Sequence, residues 1–575
     1  MKVKLAKTAG FCMGVRRAMN IVLDAANRQE GKLYTYGPLV HNPQAVEMLR
    51  QKGVEVLGNE LVSNSTVILR AHGVAPEERR RIKEAGNVIC DATCPHVAKA
   101  HAILKREIRE GYKAVIIGDR GHAEVNGLLG YAEGNGIVVE NLVDVDALPE
   151  LGRACVIAQT TQDRILFRQI VDALKKKVED LKVFDTICDS TGMRQQEVFE
   201  LAGEVDAMVI VGGRESANTR RLYEISCSTG VPSFHIETED ELDSLGLEKY
   251  ENIGVMAGAS TPNWVINKVI DKIKFLLKKR KGRIYHFWES IGEFLVESTL
   301  YLSLGAVSMC YSSLVFQGLK PSATLLFIAF FYVIAVHTFN RYNERLKDEF
   351  SDPARTRFFR DYRRVLIAGA AAASLAALSL SYLLGLVDFI LLLFSYLMGI
   401  IYTIRIVPDK LQPFIRYKRL KDLPGSKDFL VSMAWAWVIV LIPIVNKGLY
   451  FSYQSIAILA FVLISMFIRS VVFDILSIEG DRVIGRETIP ILIGPKQTQI
   501  MLVMLTVIIS VFMSLSAYFG LVPSLGYYLI FSPVFMVACF YIFQKHRVQV
   551  STLFEAVIDS NFILLGIITY FWQLA

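Results

Sequence analysis

The chain has 575 residues, which is too many for one hydrophobic core and predicts at least two domains. Hydrophobic residues make up 52% of it, and the formal net charge is +7. Apolar residues are concentrated after residue 283 in bilayer-length runs, so the positive charge favours an anionic membrane surface over nucleic acid as the partner. The composition excludes a wholly soluble protein and predicts domains at 1–283 and 284–575.

The first domain alternates short apolar strands with charged amphipathic helices. Ala114-Val-Ile-Ile-Gly and Ala207-Met-Val-Ile-Val are typical of such strands. That alternation predicts parallel α/β layers, with ligand-binding side chains at the carboxyl ends of the strands. The beginning of the chain does not resemble a signal peptide, so we expect this domain in a reducing compartment with its cysteines unpaired. Five cysteines are then expected to be core or membrane-helix thiols: Cys90, Cys155, Cys227, Cys310 and Cys539.

The other three cysteines recur at equivalent places in three successive units of this domain. In the second and third units a polar residue follows the cysteine after 28 positions, and in the first unit the spacing is one residue longer. A further polar residue follows an apolar run in each unit. The three equivalent sets are Cys12, Cys94 and Cys188; His41, His122 and Ser216; and His72, Thr161 and Ser260. The pattern predicts three pseudo-threefold-related units around one central site.

Three thiolates without a matching fourth suit an iron–sulfur cluster that keeps one iron open. Structural zinc and ordinary electron-transfer clusters usually have four protein ligands. An open iron of a [4Fe–4S] cluster can act as a Lewis acid on a substrate oxygen. The alternative is that three core cysteines are aligned by chance.

The polar residues near these cysteines are mostly neutral hydrogen-bond donors, which suit a diphosphate enclosed in a cleft. They are His41, His72, Ser216, Asn218 and Ser260. Glu124 lies two residues after His122, and a carboxylate there is a plausible proton donor if its surroundings raise its pKa. Taken alone, a glutamate such as Glu124 is more often a solvated surface carboxylate.

Eight ordered motifs run through residues 1–280. They are Ala9-Gly-Phe-Cys12, Val40-His41-Asn42, Ala71-His72-Gly73, Asp91-Ala-Thr-Cys94-Pro, Gly121-His122-Ala-Glu124, Gln159-Thr160-Thr161, Asp185-Thr-Ile-Cys188 and Ala257-Gly-Ala-Ser260. Together they closely resemble the 4-hydroxy-3-methylbut-2-enyl diphosphate reductase family. The resemblance implies the last step of the non-mevalonate isoprenoid pathway, in which the allylic hydroxyl is removed with two electrons and two protons. The products are isopentenyl and dimethylallyl diphosphates.

The resemblance also implies the role of each site residue. Cys12, Cys94 and Cys188 would hold the [4Fe–4S] cluster. His41, His72, Ser216, Asn218 and Ser260 would bind the diphosphate. Glu124 would deliver protons with His122 and Thr161 assisting, and a reduced ferredoxin or flavodoxin type of protein would donate electrons. Ala217 departs from the family, which commonly has a second serine there, and one lost hydroxyl should weaken binding by roughly 1 kcal/mol.

The second domain is a succession of apolar segments long enough to cross a bilayer. Nine can be drawn, at about 289–316, 321–339, 364–384, 386–404, 429–446, 450–473, 498–519, 522–544 and 553–574. Basic loops alternate with nearly uncharged ones, and a basic cluster at 278–281 joins the domains. The positive-inside rule puts the basic loops, and with them the first domain, in the cytoplasm. The sequence therefore predicts an all-α multi-pass bundle of about nine helices in the inner or cell membrane.

Two of the basic loops also carry carboxylates in helical register. Asn340, Glu344 and Asp348 recur every four residues, and Asp474 and Asp481 share a face with Ser477. Such faces could hold Mg²⁺ bridging a diphosphate. The alternative is a pair of solvated polar loops.

The pair of acidic loops resembles the two acidic motifs of the UbiA superfamily of intramembrane prenyltransferases, over about residues 285–575. The resemblance implies transfer of a prenyl group from a polyprenyl diphosphate to an acceptor, often an aromatic ring, with Mg²⁺ as cofactor. Arg341 and Glu344 stand where aspartates are usual, as does Ser477 in the second motif.

Two other hypotheses remain open on the sequence alone. The altered acidic motifs are compatible with a membrane half that is only an anchor. The cysteine set is compatible with a redox sensor that has no turnover. The main interpretation is a fusion of two enzymes, a reductase acting on a small allylic diphosphate and a transferase acting on a polyprenyl diphosphate.

Overall fold

A computed structural model of the protein describes residues 2–28, 31–58, 62–278, 283–403, 420, 423–448, 451–545 and 552–575. The chain forms two compact units, Met1–Lys281 and Gly282–Ala575. Residues 279–281 of the predicted basic cluster lie outside the described residues. So do most of the predicted basic loop at 405–428 and residues 546 and 547 of the short basic loop at 545–547.

The first unit contains strands and helices in the predicted alternation. Its described strands are β1 (Lys2–Leu5), β2 (Leu33–Tyr36), β3 (Val54–Leu57), β4 (Thr66–Leu69), β5 (Val88–Asp91), β6 (Lys113–Ile117), β7 (Gly136–Val139), β8 (Leu151–Ala158), β9 (Val178–Phe184), β10 (Ala207–Val211), β11 (Ser233–Ile236) and β12 (Asn252–Ala257). Its described helices are α1 (Met13–Arg28), α2 (Pro43–Gln51), α3 (Pro76–Glu84), α4 (Pro95–Arg109), α5 (Ala123–Tyr131), α6 (Leu142–Asp146), α7 (Arg164–Leu174), α8 (Asp189–Ala202), α9 (Ala217–Ser228) and α10 (Asn263–Lys278). Two short 3₁₀ turns lie at Glu239–Ser244 and Leu247–Lys249.

The strands form three parallel four-stranded sheets with the same internal order, β3-β2-β4-β5, β7-β6-β8-β9 and β11-β10-β12-β1. The third sheet is completed by the first strand of the chain, because β1 pairs with β12 from Lys2 opposite Asn252 to Leu5 opposite Val255. Three equivalent units are thus confirmed. The strand that leads to each cysteine lies at the edge of a neighbouring unit's sheet. β1, before Cys12, belongs to the third sheet; β5, before Cys94, belongs to the first; and β9, before Cys188, belongs to the second.

Each sheet is covered by helices on both faces, which explains why its central strands are continuous apolar runs rather than alternating ones. In the second sheet, Val115 and Val156 pack on one side, whereas Ile116, Cys155 and Ile157 pack on the other. Cys155 is therefore the core thiol that the sequence predicted. Cys227, near the end of α9, is exposed, so its predicted place in the core is wrong.

The second unit is all-helical in the part that the structure describes. Its helices are α11 (Arg283–Glu297), α12 (Leu300–Phe316), α13 (Ala323–Ser351), α14 (Pro353–Leu384), α15 (Leu386–Thr403), α16 (Ser426–Ala436), α17 (Ile442–Asn446), α18 (Tyr453–Leu476), α19 (Ile478–Ile484), α20 (Ile489–Leu492), α21 (Pro495–Tyr518), α22 (Leu525–Leu529), α23 (Phe531–Lys545) and α24 (Thr552–Leu574). A wider π-helical stretch, Trp437–Leu441, joins α16 to α17.

Seven helices in the described ranges are long and apolar enough to cross a membrane, which makes this a multi-pass membrane protein. An eighth crossing is obtained if Ser290–Glu297 and Leu300–Phe316 form one span, bent by 62°. Nine crossings were predicted. The ninth, at 386–404, corresponds to the shorter apolar helix Leu386–Tyr402, beyond which the chain leaves the described residues.

Candidate active sites

Three helices of the first unit begin directly after the three recurring cysteines. Cys94 and Cys188 are the N-caps of α4 and α8, and Cys12 immediately precedes α1. The backbone N–H of Val15 donates to the Sγ atom of Cys12 over 3.4 Å. Unpaired N–H groups and the helix dipole favour a thiolate at such a position. All three thiols line one cavity of the first unit, so the sequence-predicted trio is brought together.

Burial in this cavity makes deprotonation of the thiols unfavourable unless a cation is bound nearby. Burial raises the pKa of the Cys94 thiol and of the Cys188 thiol, and the neighbouring thiols raise both further. A Cβ atom at Gly14 would collide with Cys94 Sγ, so α1 can approach this cysteine only because residue 14 is glycine. Two thiols that resist ionisation and share a cavity with a third fit a metal centre, whose positive charge holds coordinating thiols deprotonated.

Three histidines line the same cavity. The ring centres of His41 and His72 are 4.8 Å apart, and those of His72 and His122 are 5.5 Å apart. Burial lowers the pKa of all three imidazoles, and that of His122 falls to about 4. The mutual repulsion of the rings and the guanidinium of Arg70 act in the same direction. The histidines are therefore neutral hydrogen-bond groups at physiological pH.

The hydrogen bonds of these rings show which atoms are available to a ligand. The Nδ1 atom of His122 accepts the backbone N–H of Glu124 at 3.2 Å, so the proton of the neutral ring lies on Nε2. Among the described residues, His41 Nε2 and His72 Nδ1 are buried without a hydrogen-bond partner. Buried polar atoms are rarely left unsatisfied, so these atoms point to a polar ligand.

Hydroxyl and amide donors complete this side of the cavity. Ser216 caps α9, and its hydroxyl lies 3.3 Å from that of Ser260, which also donates to the His41 carbonyl. The amide Nδ2 atom of Asn218 is buried and has no partner in the part of the chain that the structure describes. The predicted residues Ser216, Asn218 and Ser260 thus converge with the histidines.

Glu124 is buried at the start of α5, with 1% of its surface exposed, so the solvated alternative is wrong for this residue. Its Oε1 atom accepts the backbone N–H of Thr160 at 2.7 Å, and its Oε2 atom accepts the Thr160 hydroxyl at 2.8 Å. Burial outweighs these hydrogen bonds and raises its pKa to about 7. A carboxyl group with this pKa can hold and release a proton at neutral pH.

Several residues of this site were not predicted as site residues, and four of them have identifiable roles or positions. Thr160 holds Glu124, and the Gln159 amide donates to the Thr161 hydroxyl at 2.9 Å. Thr191 and Arg194, both on α8, also line the cavity. Thr160 and Gln159 belong to the motif that contains Thr161, and Thr191 follows Cys188 by three residues. For Gln159, Thr160 and Thr191, nearness in the sequence to predicted site residues was the available signal.

The second unit contains a separate polar cavity between its helices. Asn340, Glu344 and Ser477 line it, whereas Asp474 and Asp481 lie next to lining residues. The Nζ atom of Lys427 is 3.1 Å from Asp474 and 3.6 Å from Glu344. The Ser477 hydroxyl donates to Asp481 at 3.0 Å. The two acidic loops therefore meet, but the side chain of Asp348 lies outside the described residues.

A network of buried ion pairs forms another wall of this cavity. Arg469 donates to Asp559 through two hydrogen bonds of 2.6 and 2.9 Å. Arg341 and Arg355 both donate to Glu555, and Arg355 also binds Glu297 at 3.0 Å. These residues come from α11, α13, α14, α18 and α24. Only Arg341 among them was singled out from the sequence.

Comparison with known proteins relates each unit to a family. The LytB protein family model matches residues 3–274, and the UbiA prenyltransferase family model matches residues 301–573. The 4-hydroxy-3-methylbut-2-enyl diphosphate reductase of Aquifex aeolicus is 42% identical over 274 residues, which are 47% of this chain and 95% of that protein. The reductase of Geobacter sulfurreducens is 43% identical over 283 residues, which are 49% of this chain and 100% of that protein.

A UbiA homolog from Archaeoglobus fulgidus, solved with DMAPP and Mg²⁺, is 14% identical and covers 48% of this chain and 98% of its own, with a TM-score of 0.35. Assignment of the second unit rests on the family model. The chain therefore belongs to the 4-hydroxy-3-methylbut-2-enyl diphosphate reductase family through residues 3–274, and it carries a UbiA-type membrane prenyltransferase domain at residues 301–573.

Proposed function

We propose that the first domain reduces 4-hydroxy-3-methylbut-2-enyl diphosphate to isopentenyl and dimethylallyl diphosphate, the last step of the non-mevalonate isoprenoid pathway. The C–O bond of the allylic alcohol breaks, two electrons and two protons are consumed, and water leaves. The observation that carries the proposal is one cavity lined by three thiols, three neutral histidines and a buried carboxyl group. The family relationship supports the same reaction.

The cluster ligands would be Cys12, Cys94 and Cys188, because their thiols share the cavity and begin three helices. A [4Fe–4S] cluster bound there would pass on, one at a time, the two electrons that the external donor provides, and it would offer a Lewis-acidic iron to the alcohol. The protein's part is to hold three thiolates close together in a site from which most water is excluded.

The diphosphate would be bound by neutral donors. His41 and His72 offer buried ring nitrogens that have no partner among the described residues, and Asn218 offers a buried amide under the same condition. Ser216 and Ser260 add hydroxyl groups, and Ser216 stands at the N-terminus of α9, where backbone N–H groups favour an anion. Neutral donors bind the anion without the cost of burying several lysines beside it.

Proton delivery is assigned to Glu124, with His122 and Thr161 assisting. Burial raises the pKa of Glu124 to about 7, so its protonated form is well populated at neutral pH. Thr160 holds both carboxyl oxygens, which orients the group in the cavity. His122 presents its Nε2–H, since its Nδ1 atom is occupied by a backbone N–H.

An anaerobic turnover assay with a strong chemical reductant tests this proposal. The purified full chain should convert the allylic alcohol to the two five-carbon diphosphates, detected by mass spectrometry. A Cys188→Ala variant should lose both the cluster absorbance and the turnover. The same assay distinguishes the enzyme from a redox sensor, because a sensor would carry the cluster and give no product.

For the second domain we propose transfer of a prenyl group from a polyprenyl diphosphate to an acceptor, which makes the chain bifunctional. The match to the UbiA family model supports this activity over a mere anchor. The meeting of the two acidic loops at a polar cavity inside the helical bundle supports it as well.

Mg²⁺ is the cofactor proposed for this cavity. Glu344, Asp474 and Asp481, with Asn340 and Asp348, are the oxygen ligands that a hard divalent cation prefers. Lys427 pairs with Asp474 and Glu344, and Arg486 lies 2.7 Å from Glu344 and 4.0 Å from Asp481. The positively charged side chains of Lys427 and Arg486 would be free to bind a diphosphate once the carboxylates coordinated Mg²⁺. Bound Mg²⁺ would neutralise the charge on the leaving diphosphate.

Membranes supplied with a labelled polyprenyl diphosphate and candidate aromatic acceptors test the transferase. A labelled lipid product should form with Mg²⁺ and disappear with a chelator. Asp474→Asn should abolish it, whereas Asp361→Asn, at an exposed position of α14, should not. If the purified chain bound neither Mg²⁺ nor a prenyl diphosphate, the result would contradict the transferase and support the hypothesis that the membrane half is only an anchor.

Placement in the cell follows from the loop charges. We propose domains at 1–283 and 284–575, with the first domain in the cytoplasm and the second in the inner or cell membrane. A reduced ferredoxin or flavodoxin would then reach the first domain from the cytoplasm. Protease accessibility in inverted vesicles should expose residues 1–283 and leave the helices protected.

A further inference from the structure

The three cysteine-bearing helices differ at one buried position. Six residues after each cysteine stand Ala18, Ala100 and Arg194. The two alanines are fully buried, and Arg194 is only 3% exposed. At this position α8 carries a positively charged side chain, whereas the equivalent helices α1 and α4 carry the methyl group of alanine.

The guanidinium of Arg194 lies between the segments that hold two of the cysteines. Its Nη2 atom donates to the carbonyl of Gly10 at 2.6 Å, and Gly10 precedes Cys12 by two residues. Its Nη1 atom donates to the carbonyl of Ser190 at 3.2 Å, and Ser190 follows Cys188 by two residues. Arg194 also lines the cavity that the three thiols share.

Packing alone does not account for this residue. Ala18 and Ala100 show that the equivalent helices pack with a small apolar side chain at this position. Burying a guanidinium is costly, and an arginine is almost never buried so completely unless it is paired. The position beside the thiols indicates that the charge acts on whatever the thiols hold.

We propose that Arg194 is a positioning residue whose positive charge raises the reduction potential of the cluster bound by the three cysteines. This inference rests on the proposed reductase function. Reduction adds a negative charge to a cluster, and a nearby cation in a medium of low dielectric constant stabilises the reduced form. Arg194 would also keep the Cys12 and Cys188 segments in register through Gly10 and Ser190.

A redox titration separates the electrostatic role from the structural one. The full chain is purified in detergent, its cluster is reconstituted anaerobically, and the reduced cluster is followed by electron paramagnetic resonance as the potential is changed. The variants are Arg194→Gln, Arg194→Lys and, as a matched control, Arg168→Gln on the exposed face of α7. Iron and sulfide are counted for each protein, so that cluster content is known independently of potential.

Arg194→Gln should lower the midpoint potential so that, at the wild-type midpoint, the ratio of reduced to oxidised cluster falls at least tenfold. For a one-electron couple this fall corresponds to about 59 mV. Arg194→Lys keeps the charge and should stay close to wild type, as should the Arg168→Gln control. Full cluster content in all three variants is expected.

An Arg194→Gln protein with full cluster content and an unchanged potential would overturn the inference. A shift in Arg194→Lys as large as that in Arg194→Gln would do the same, since it would trace the effect to the lost contacts rather than to charge. Loss of the cluster in both variants would make Arg194 purely structural. A wild-type chain that takes up no iron–sulfur cluster would overturn the proposed function itself.

Discussion

The two polar cavities of this chain, for both of which we propose diphosphate binding, differ in how their polar side chains are paired. The reductase cavity uses neutral imidazoles, hydroxyls and an amide, several of which have buried atoms without a partner among the described residues. The membrane cavity is lined by charges, and its arginines and lysine contact carboxylates at hydrogen-bond distance. If both cavities bind a diphosphate as proposed, the first can do so with donors that are already available, whereas the second must first break ion pairs.

The difference has a physical reason. Burying a neutral donor without a partner costs about 1–3 kcal/mol, which is less than the cost of burying an unpaired charge. Charges within a membrane bundle are far more expensive unless they are paired, so they occur in networks that also hold helices together. Removing a group should therefore impair chemistry in the first site and folding in the second.

The largest expected effect is that of Glu124→Gln on turnover. Loss of a general acid typically costs 10²–10⁴-fold in rate, and we expect a loss in that range. The glutamine retains the shape of the side chain, so the absorbance of the cluster should be unchanged. Glu150→Gln, at an exposed position, is the control. Normal turnover in Glu124→Gln would remove the proposed proton donor.

Asp559→Asn should destabilise the membrane domain rather than alter the reductase. It leaves the Arg469 guanidinium buried without its bidentate partner, and breaking a buried pair typically costs about 3–5 kcal/mol. Thermal aggregation in detergent, measured beside Asp361→Asn, reports the loss. If both variants aggregated at the same temperature, the ion-pair network would not be what stabilises the helix packing. The proposed difference between the two cavities would then be wrong.

The pH dependence of reductase turnover should follow Glu124. Burial raises the pKa of this group to about 7, so it is protonated below that pH and loses its proton above it. Turnover should fall about tenfold for each pH unit above about 7, with an electron donor that carries no protons. His122, with a pKa of about 4, should give no inflection between pH 5 and 7. A rate that rises above pH 7 would contradict the assignment.

The smallest effect is expected from Ala217→Ser. Ala217 lines the reductase cavity next to Ser216, and a hydroxyl there could donate to the diphosphate. One added hydrogen bond contributes about 1 kcal/mol, so the KM should fall up to about fivefold with little change in kcat. A raised KM would mean that the cavity has no room for the added oxygen.

Much of the first domain could be predicted because its signals are local. Cysteine spacing located three equivalent units, and the motifs identified most of the polar residues that line the cavity. The joining of β1 to β12 was missed, because pairing between strands some 250 residues apart leaves no trace in spacing. Arg194 was missed because its importance appears only when the three helices are compared at an equivalent buried position.

The ionic network of the membrane domain was missed for a different reason. Arg469 stands alone in the apolar run of α18, and Glu555 and Asp559 lie one turn apart in α24. Charges inside a membrane span are a recognised sign of function or pairing, so a signal was available. Which charge meets which depends on helix packing, and that cannot be obtained from the sequence of one chain.

The central claim is that three thiols of the first domain hold a cluster with one open iron. Mössbauer spectroscopy of ⁵⁷Fe-labelled, anaerobically purified full chain tests it most directly. We expect a [4Fe–4S] signal with one iron distinguishable from the other three, and its absence from Cys188→Ala. Zinc in place of iron, or a spectrum without a cubane cluster, would contradict the account.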